Sequence, residues 1–213
     1  MLILPVSKNK ILKEPIAILA NGSFPRKKEP LEILNNVCTL ICTDGSANTL
    51  IAKNLSPQVI IGDMDSINNK FQFKGLKIPD YNKNNTDLEK AIEWLIMNKI
   101  YKVTLLGATG NRDDMTLVNY FLLFKYFNEI DITMITDFFS ISCNLGKKSF
   151  NSFKGQTVSI LPKKNSIVSS KGLKFTLNNE RISQDGKTLS NLSNGKSFSI
   201  NCDEPILIFR SHT

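Results

Sequence analysis

Over roughly the first two thirds of the chain, short apolar runs alternate with segments of helical spacing, and this alternation narrows the fold more than any other feature. Pro15–Ala20 is an apolar run closed by Asn21-Gly22, so it reads as a buried strand. Val37–Thr43 is a second strand that ends at Asp44-Gly45, and Ser46–Asn54 reads as a short helix. Val59-Ile60-Ile61 is a third strand and runs directly into Gly62-Asp63-Met64-Asp65-Ser66. Thr86–Met97 carries Leu88, Ala91, Ile92 and Leu95 at helical spacing, behind a Thr86-Asp87-Leu88-Glu89 capping box. Val103–Leu106 is a strand leading into Gly107-Ala108-Thr109-Gly110, Asp114–Phe127 an apolar-rich helix, and Ile132–Thr136 a last strand. Short connections between such elements predict a mostly parallel sheet covered by helices.

The pattern changes near Phe139. Runs rich in Ser, Thr, Ile, Val and Phe then alternate with turn signals such as Lys154-Gly155, Asn178-Asn179, Asp185-Gly186 and Asn194-Gly195. Thr157–Leu161, Gly172–Leu177, Lys196–Ile200 and Pro205–Phe209 read as strands of a smaller antiparallel β domain. The expected class is therefore α/β, with residues 1–138 forming the parallel-sheet domain and residues 139–213 the β domain.

Composition serves mainly to exclude. With 213 residues, 41% hydrophobic and 22% charged, the chain can bury a proper core and holds no low-complexity block. Met1–Pro5 is apolar but lacks the basic region, long apolar run and cleavage site of a secretory signal. No stretch reaches the roughly 18 apolar residues of a membrane span, so the expected address is the cytoplasm. Cys38, Cys42, Cys143 and Cys202 lack zinc-knuckle spacing and read as reduced, structural thiols. His212 lies among the last residues, so any mechanism must work without histidine. The net charge of +8 comes from lysines scattered along the chain. They form no basic helix or aromatic-studded strip, and no nucleic-acid partner is expected.

In a parallel sheet, ligands bind at the carboxyl ends of the strands, and the polar clusters fall there: after Ala20, Thr43, Ile61 and Leu106. Asp63 and Asp65 stand one residue apart in a tight loop and can aim both carboxylates at one hard cation such as magnesium. The same pair can equally cap backbone amides in an ordinary Asp-rich turn, and on these five residues the two readings stand level. Asp44 ends a strand at the same sheet edge, and Asp87 opens a helix, where it also suits the helix dipole. Four carboxylates at one edge require a cation or a basic ligand. Gly107–Gly110 leads into a helix and offers N–H groups to an anion, and Arg112 can fork onto phosphate oxygens or merely pair with Asp113. The loop is neither a Walker loop nor a dinucleotide fingerprint.

Taken in order, these segments resemble thiamine pyrophosphokinase. The matching stretches are Leu19-Ala20-Asn21-Gly22, Asp44-Gly45-Ser46-Ala47-Asn48, Gly62-Asp63-Met64-Asp65-Ser66, Lys83-Asn84-Asn85-Thr86-Asp87 and Leu106–Asp114. Gly172-Leu173-Lys174-Phe175 and Leu189-Ser190-Asn191 follow in the β half. The resemblance implies transfer of the pyrophosphoryl group of ATP to the hydroxyl of thiamine, giving thiamine diphosphate and AMP. It also implies a homodimer in which thiamine lies between the catalytic domain of one subunit and the β domain of the other.

By that resemblance Asp63, Asp65 and Asp87 hold Mg2+ and serve catalysis. Asp44, Asn85, Thr86, Arg112 and Asp114 bind nucleotide and substrate, and Ser169, Phe175, Ser190 and Asn191 lie near thiamine. An aromatic face suits the cationic thiazolium, although without the motif Phe175 reads as a core strand residue. Asp65 or Asp87 is expected to accept the hydroxyl proton. Two residues depart from the family pattern: Asn84 replaces an acidic residue, and Met115 a histidine or glutamine. The competing readings are a magnesium-dependent phosphatase or nucleotidase with an aspartate nucleophile, and a non-catalytic nucleotide or thiamine sensor.

Overall fold

The computed structural model describes residues 12–67 and 73–213. They fall into two compact units, one within Met1–Leu122 and Asn128–Asp137, the other comprising Leu123–Phe127 and Phe138–Thr213.

The first unit contains β1 (Ile16–Leu19), α1 (Lys28–Asn36), β2 (Thr39–Thr43), α2 (Asp44–Ala52), β3 (Val59–Gly62), β4 (Leu76–Pro79), α3 (Asp87–Met97), β5 (Lys102–Leu106), the start of α4 (Asp113–Tyr126) and β6 (Asp131–Ile135). Its strands are all parallel, in the order β6-β5-β1-β2-β3-β4. Every residue of β1, β2 and β3 is buried, as a sheet covered on both faces requires. Ile18, Ile41, Ile60 and Leu105 form the fully buried middle of that sheet. The chain moves outward from β1 to β4 and then returns to lay β5 on the other side of β1. This reversal opens a crevice beyond the carboxyl ends of β1 and β5.

Local chemistry explains several boundaries. β2 starts at Thr39 rather than Val37 because the Val37 N–H still caps α1, donating to Ile33 O at 3.2 Å. α2 begins directly at the end of β2, held there by Ser46 Oγ, which donates to Leu19 O at 2.8 Å. α3 has the expected cap: Thr86 Oγ1 accepts from Glu89 N at 3.2 Å. α1 and β4 escape the sequence patterns. α1 carries Pro30, and β4 alternates with exposed Lys77 and Pro79, as an edge strand does.

The second unit is antiparallel: β7 (Phe139–Asn151), β8 (Thr157–Pro162), β9 (Ser166–Lys171), β10 (Glu180–Ile182), β11 (Asn191–Leu192) and β12 (Ser197–Ser211). β12 pairs with β7 along its length, and a register shift between Cys202 and Ile206 lets it serve two further partners. Ser199–Cys202 face β9, and Ile206–Arg210 face β8. The unit's core includes Val158, Ile160, Ile200 and Ile208, with the Phe150 and Phe198 rings stacked at 5.1 Å.

Gly172–Leu177, expected as a strand, is instead a loop with a single bridge from Leu173 to Ser193. Gly172 takes φ +78°, which breaks the extended run. Ser170 Oγ takes the Leu177 N–H, and the Asn191 amide takes both backbone groups of Phe175. Among the described residues all four cysteines are free thiols, and no helix is long and apolar enough to cross a membrane.

Because Ile60 sits fully buried in β3, Ile60→Ala is expected to cost about 2–5 kcal/mol in urea unfolding. A loss below about 1 kcal/mol would contradict the packing described.

Candidate active site

β3 ends at Gly62 and delivers the acidic loop to the carboxyl edge of the sheet. Gly62 has φ +153°, and a Cβ there would meet Asp44 Cγ at 2.6 Å, so glycine is what lets the loop pass Asp44. Asp44 is only 2% exposed at the start of α2. Its carboxylate accepts from Gly45 N at 2.6 Å and from Met64 N at 3.0 Å. Asp63 Oδ1 accepts from Asp65 N at 3.3 Å, and Ser66 Oγ donates to Asp65 Oδ1 at 2.9 Å. The loop is thus a capped turn, and the capping leaves carboxylate oxygens of Asp44, Asp63 and Asp65 within 4.8 Å of one another.

Two lysines moderate this cluster. Lys83 Nζ bonds Asp63 Oδ2 and holds the Asp63 carboxyl well below the usual carboxylate range. Lys90 Nζ lies 2.8 Å from Asp87 Oδ1. Asp87 stands outside the three-carboxylate group, but its charge reaches Asp44. Burial first and the Asp87 charge second push Asp44 up to about 6. The four carboxylates face two ammonium groups, which leaves an excess of two negative charges when all are ionised. The donors are hard oxygens with excess negative charge beside a buried carboxylate, so the residues fit a divalent cation such as Mg2+. Asp44, Asp63 and Asp65 are the side chains that would hold it.

A cavity of about 330 Å³ opens in the crevice between β1 and β5. One wall is Ala20–Gly22 after β1 with Thr43 at the end of β2; the other is Gly110–Arg112 with Met115 and Asn119 of α4. Thr86–Leu88 close it from the N-terminus of α3, so Asp87 lines the cavity. The two loops are bonded together: Gly22 N donates to Gly107 O at 2.7 Å and Ser23 N to Thr109 O at 2.7 Å. A Cβ on Gly22 would come within 2.4 Å of both the Gly107 and Thr109 carbonyls. Buried Asn119 donates to Ala108 O at 2.7 Å and ties α4 to the glycine loop.

Other candidates have more local partners. Arg112 pairs with Asp114 through two bonds of 3.1 and 2.5 Å, not with Asp113, and both side chains are exposed. Asn85 donates to Glu93 Oε2 at 2.9 Å, and Thr86 caps α3. In the second unit, Asn191 is buried and acts as a clamp. It accepts from Phe175 N at 3.0 Å and donates to Phe175 O at 2.7 Å, displaying a ring residue that is 61% exposed. Ser190 adjoins Asn191 with φ +58° and donates its N–H to Ser159 Oγ. Ser169 bonds Asn179 Oδ1 at 2.7 Å on a different stretch. Sequence reading gave no role to Lys83 or Lys90, although the i, i+3 spacing of Asp87 and Lys90 on a helix was a visible signal.

A carboxylate cluster with the chemistry to hold a metal ion and a glycine-walled cavity share one edge of a parallel sheet, the edge where ligands bind in such folds. Two family models match in chain order: "Thiamin pyrophosphokinase, catalytic domain" over residues 31–134, and "Thiamin pyrophosphokinase, vitamin B1 binding domain" over residues 141–207. The chain belongs to the thiamin pyrophosphokinase family. Thiamin pyrophosphokinase 1 of Caenorhabditis elegans is 24% identical over 210 residues, covering 78% of this chain and 85% of that protein. The thiamine pyrophosphokinase of Bacillus subtilis shares the fold with a TM-score of 0.80 at 22% identity, over 92% of this chain and 98% of that one. That of Candida albicans does so with a TM-score of 0.80 at 17% identity, over 98% and 97%.

The raised carboxyl of Asp44 predicts a pH effect. Between its ordinary value of 3.8 and about 6, the folded protein holds a proton that the unfolded chain has released. This group's contribution to stability therefore falls as pH rises through that window. In urea unfolding without divalent cations, the wild type is expected to lose stability relative to Asp44→Asn across the window. Parallel pH profiles for the two proteins would contradict it.

Proposed function

We propose that this chain catalyses the reaction of its family, transferring the pyrophosphoryl group of ATP to the hydroxyl of thiamine to release thiamine diphosphate and AMP. The single observation that carries this reading is the grouping of Asp44, Asp63 and Asp65 on the sheet edge that also holds the cavity beside Asp87. Bound magnesium supplies charge neutralisation and alignment for the ATP phosphates.

The chain's own residues account for the rest. The cavity between the β1 and β5 loops accepts the nucleotide, and Arg112 in its wall brings a guanidinium to the phosphates. The thiamine hydroxyl oxygen attacks the β-phosphorus, the bond from that phosphorus to the α,β-bridging oxygen breaks, and AMP departs with that oxygen. In-line positioning and electrostatics carry most of such a transfer. The hydroxyl proton passes to Asp65 or Asp87: Asp65 is exposed within the carboxylate group, and Asp87 lines the cavity with Oδ1 held by Lys90.

In the second unit, the exposed Phe175 ring offers its face to the cationic thiazolium, with Ser169, Ser190 and Asn191 as the further thiamine-side residues. Residues 1–138 act as the catalytic domain and residues 139–213 as the thiamine-binding domain, in a cytoplasmic homodimer. Motif order and the two family matches support the two domain roles. The phosphatase and sensor readings gain no specific observation.

Incubation with ATP, magnesium and thiamine is expected to yield AMP and thiamine diphosphate in equal amounts. ADP, free phosphate or no product would overturn the reading. Asp65→Asn is expected to fold and lose turnover by at least about 10²-fold; near-normal activity would remove Asp65 from the mechanism.

A further inference from the structure

Lys90 carries a charge in the buried stretch of α3, where it and Glu89 stand among apolar residues. Its side chain is 3% exposed, among neighbours on the same helix that include Ala91, Ile92 and Trp94. Taking an ammonium out of water is costly unless acceptors meet it, so the acceptors it finds are informative. One is Asp87 Oδ1 at 2.8 Å and the other is the Asp80 carbonyl at 3.0 Å.

Those two acceptors bracket a single segment. Asp80 follows β4, and its N–H donates to Gly62 O at 2.8 Å, one residue before Asp63. Asp80 Oδ1 then accepts from Asn82 N at 2.9 Å, and Asn82 Oδ1 accepts from Asn84 N at 3.0 Å. Residues 80–86 therefore form a strap of successive Asx turns that ends at the Thr86 cap of α3. From the middle of the strap Lys83 reaches Asp63. Lys90 holds the strap at its Asp80 end and holds the carboxylate that follows its other end.

We propose that Lys90 is a positioning residue for pyrophosphoryl transfer: its buried ammonium fixes the Asp87 carboxylate and the 80–86 strap, so that Asp87, Lys83 and Asp63 meet the metal-bound phosphates in one geometry. The proposal rests on the phosphate site described above. Lys90 acts through the groups it holds. A purely structural ion pair would stabilise α3 without any coupling to ligand.

The test compares Lys90→Met, which keeps length and apolar packing, in the wild-type and Asp87→Asn backgrounds. Three quantities are read: melting temperature without ligand, calorimetric affinity for magnesium ADP, and kcat with the KM for thiamine. Lys90→Met is expected to melt as a folded protein, to bind magnesium ADP about tenfold more weakly, and to lose affinity far less when Asp87 is already Asn. Its kcat is expected to fall about 10²-fold while the KM for thiamine changes little. Equal losses of affinity in both backgrounds, or none in either, would overturn the proposal. If Lys90→Met does not fold, Lys90→Gln takes its place in the same comparison; failure of both to fold would make Lys90 a structural ion pair and overturn it too. If the wild type binds magnesium ADP but makes no thiamine diphosphate, the catalytic reading fails while the affinity comparison still decides the role of Lys90. A wild type that binds no magnesium ADP overturns the proposal as well.

Discussion

The Asp44 carboxylate joins the two pieces of backbone on which the site is built. It sits at the first turn of α2 and accepts the N–H of Gly45 with one oxygen and that of Met64 with the other. The loop after β3 is thereby fastened to the helix after β2, and Asp63 and Asp65 are brought to the same place. An ionised carboxylate so buried is unfavourable, which is why its proton is held up to about 6 and why a cation belongs beside it. The fully buried β1, β2 and β3 give this arrangement a stiff base, and Gly62 leaves room where any side chain would strike Asp44.

Positive groups complete the edge in two different ways. Lys83 is exposed and lies directly on Asp63, where an incoming phosphate can compete for it. Lys90 is buried and holds backbone and carboxylate from behind. The second unit divides its labour in the same manner. Buried Asn191 gives its side-chain amide to the Phe175 backbone and leaves the ring in solvent, so under the proposed function Asn191 serves thiamine by shaping the loop.

Much of the fold was legible because its signals are local. Apolar runs bounded by Asn-Gly and Asp-Gly marked β1 and β2, and the Thr86 capping box marked the start of α3. The acidic loop and its sharing of a sheet edge with Asp44 were legible, but not the approach of their oxygens within 4.8 Å, which depends on the 3.0 Å bond between Met64 N–H and a residue twenty positions earlier. Gly172–Leu177 has the composition of a strand, yet side-chain amide and hydroxyl bonds from Asn191 and Ser170 take backbone groups that a ladder would need. Arg112 turns to Asp114 rather than Asp113, a rotamer choice that spacing alone does not specify. The spacing of Lys90 from Asp87 was readable, but its burial comes from how α3 packs on the sheet.

The central claim is that the Asp44, Asp63 and Asp65 oxygens form a divalent-cation site. Manganese binding followed by electron paramagnetic resonance tests it most directly, with magnesium as competitor and Asp63→Asn as the comparison. The account predicts manganese bound by the wild type, displaced by magnesium and lost in Asp63→Asn. Identical titrations of the two proteins, or binding that magnesium does not displace, would contradict it.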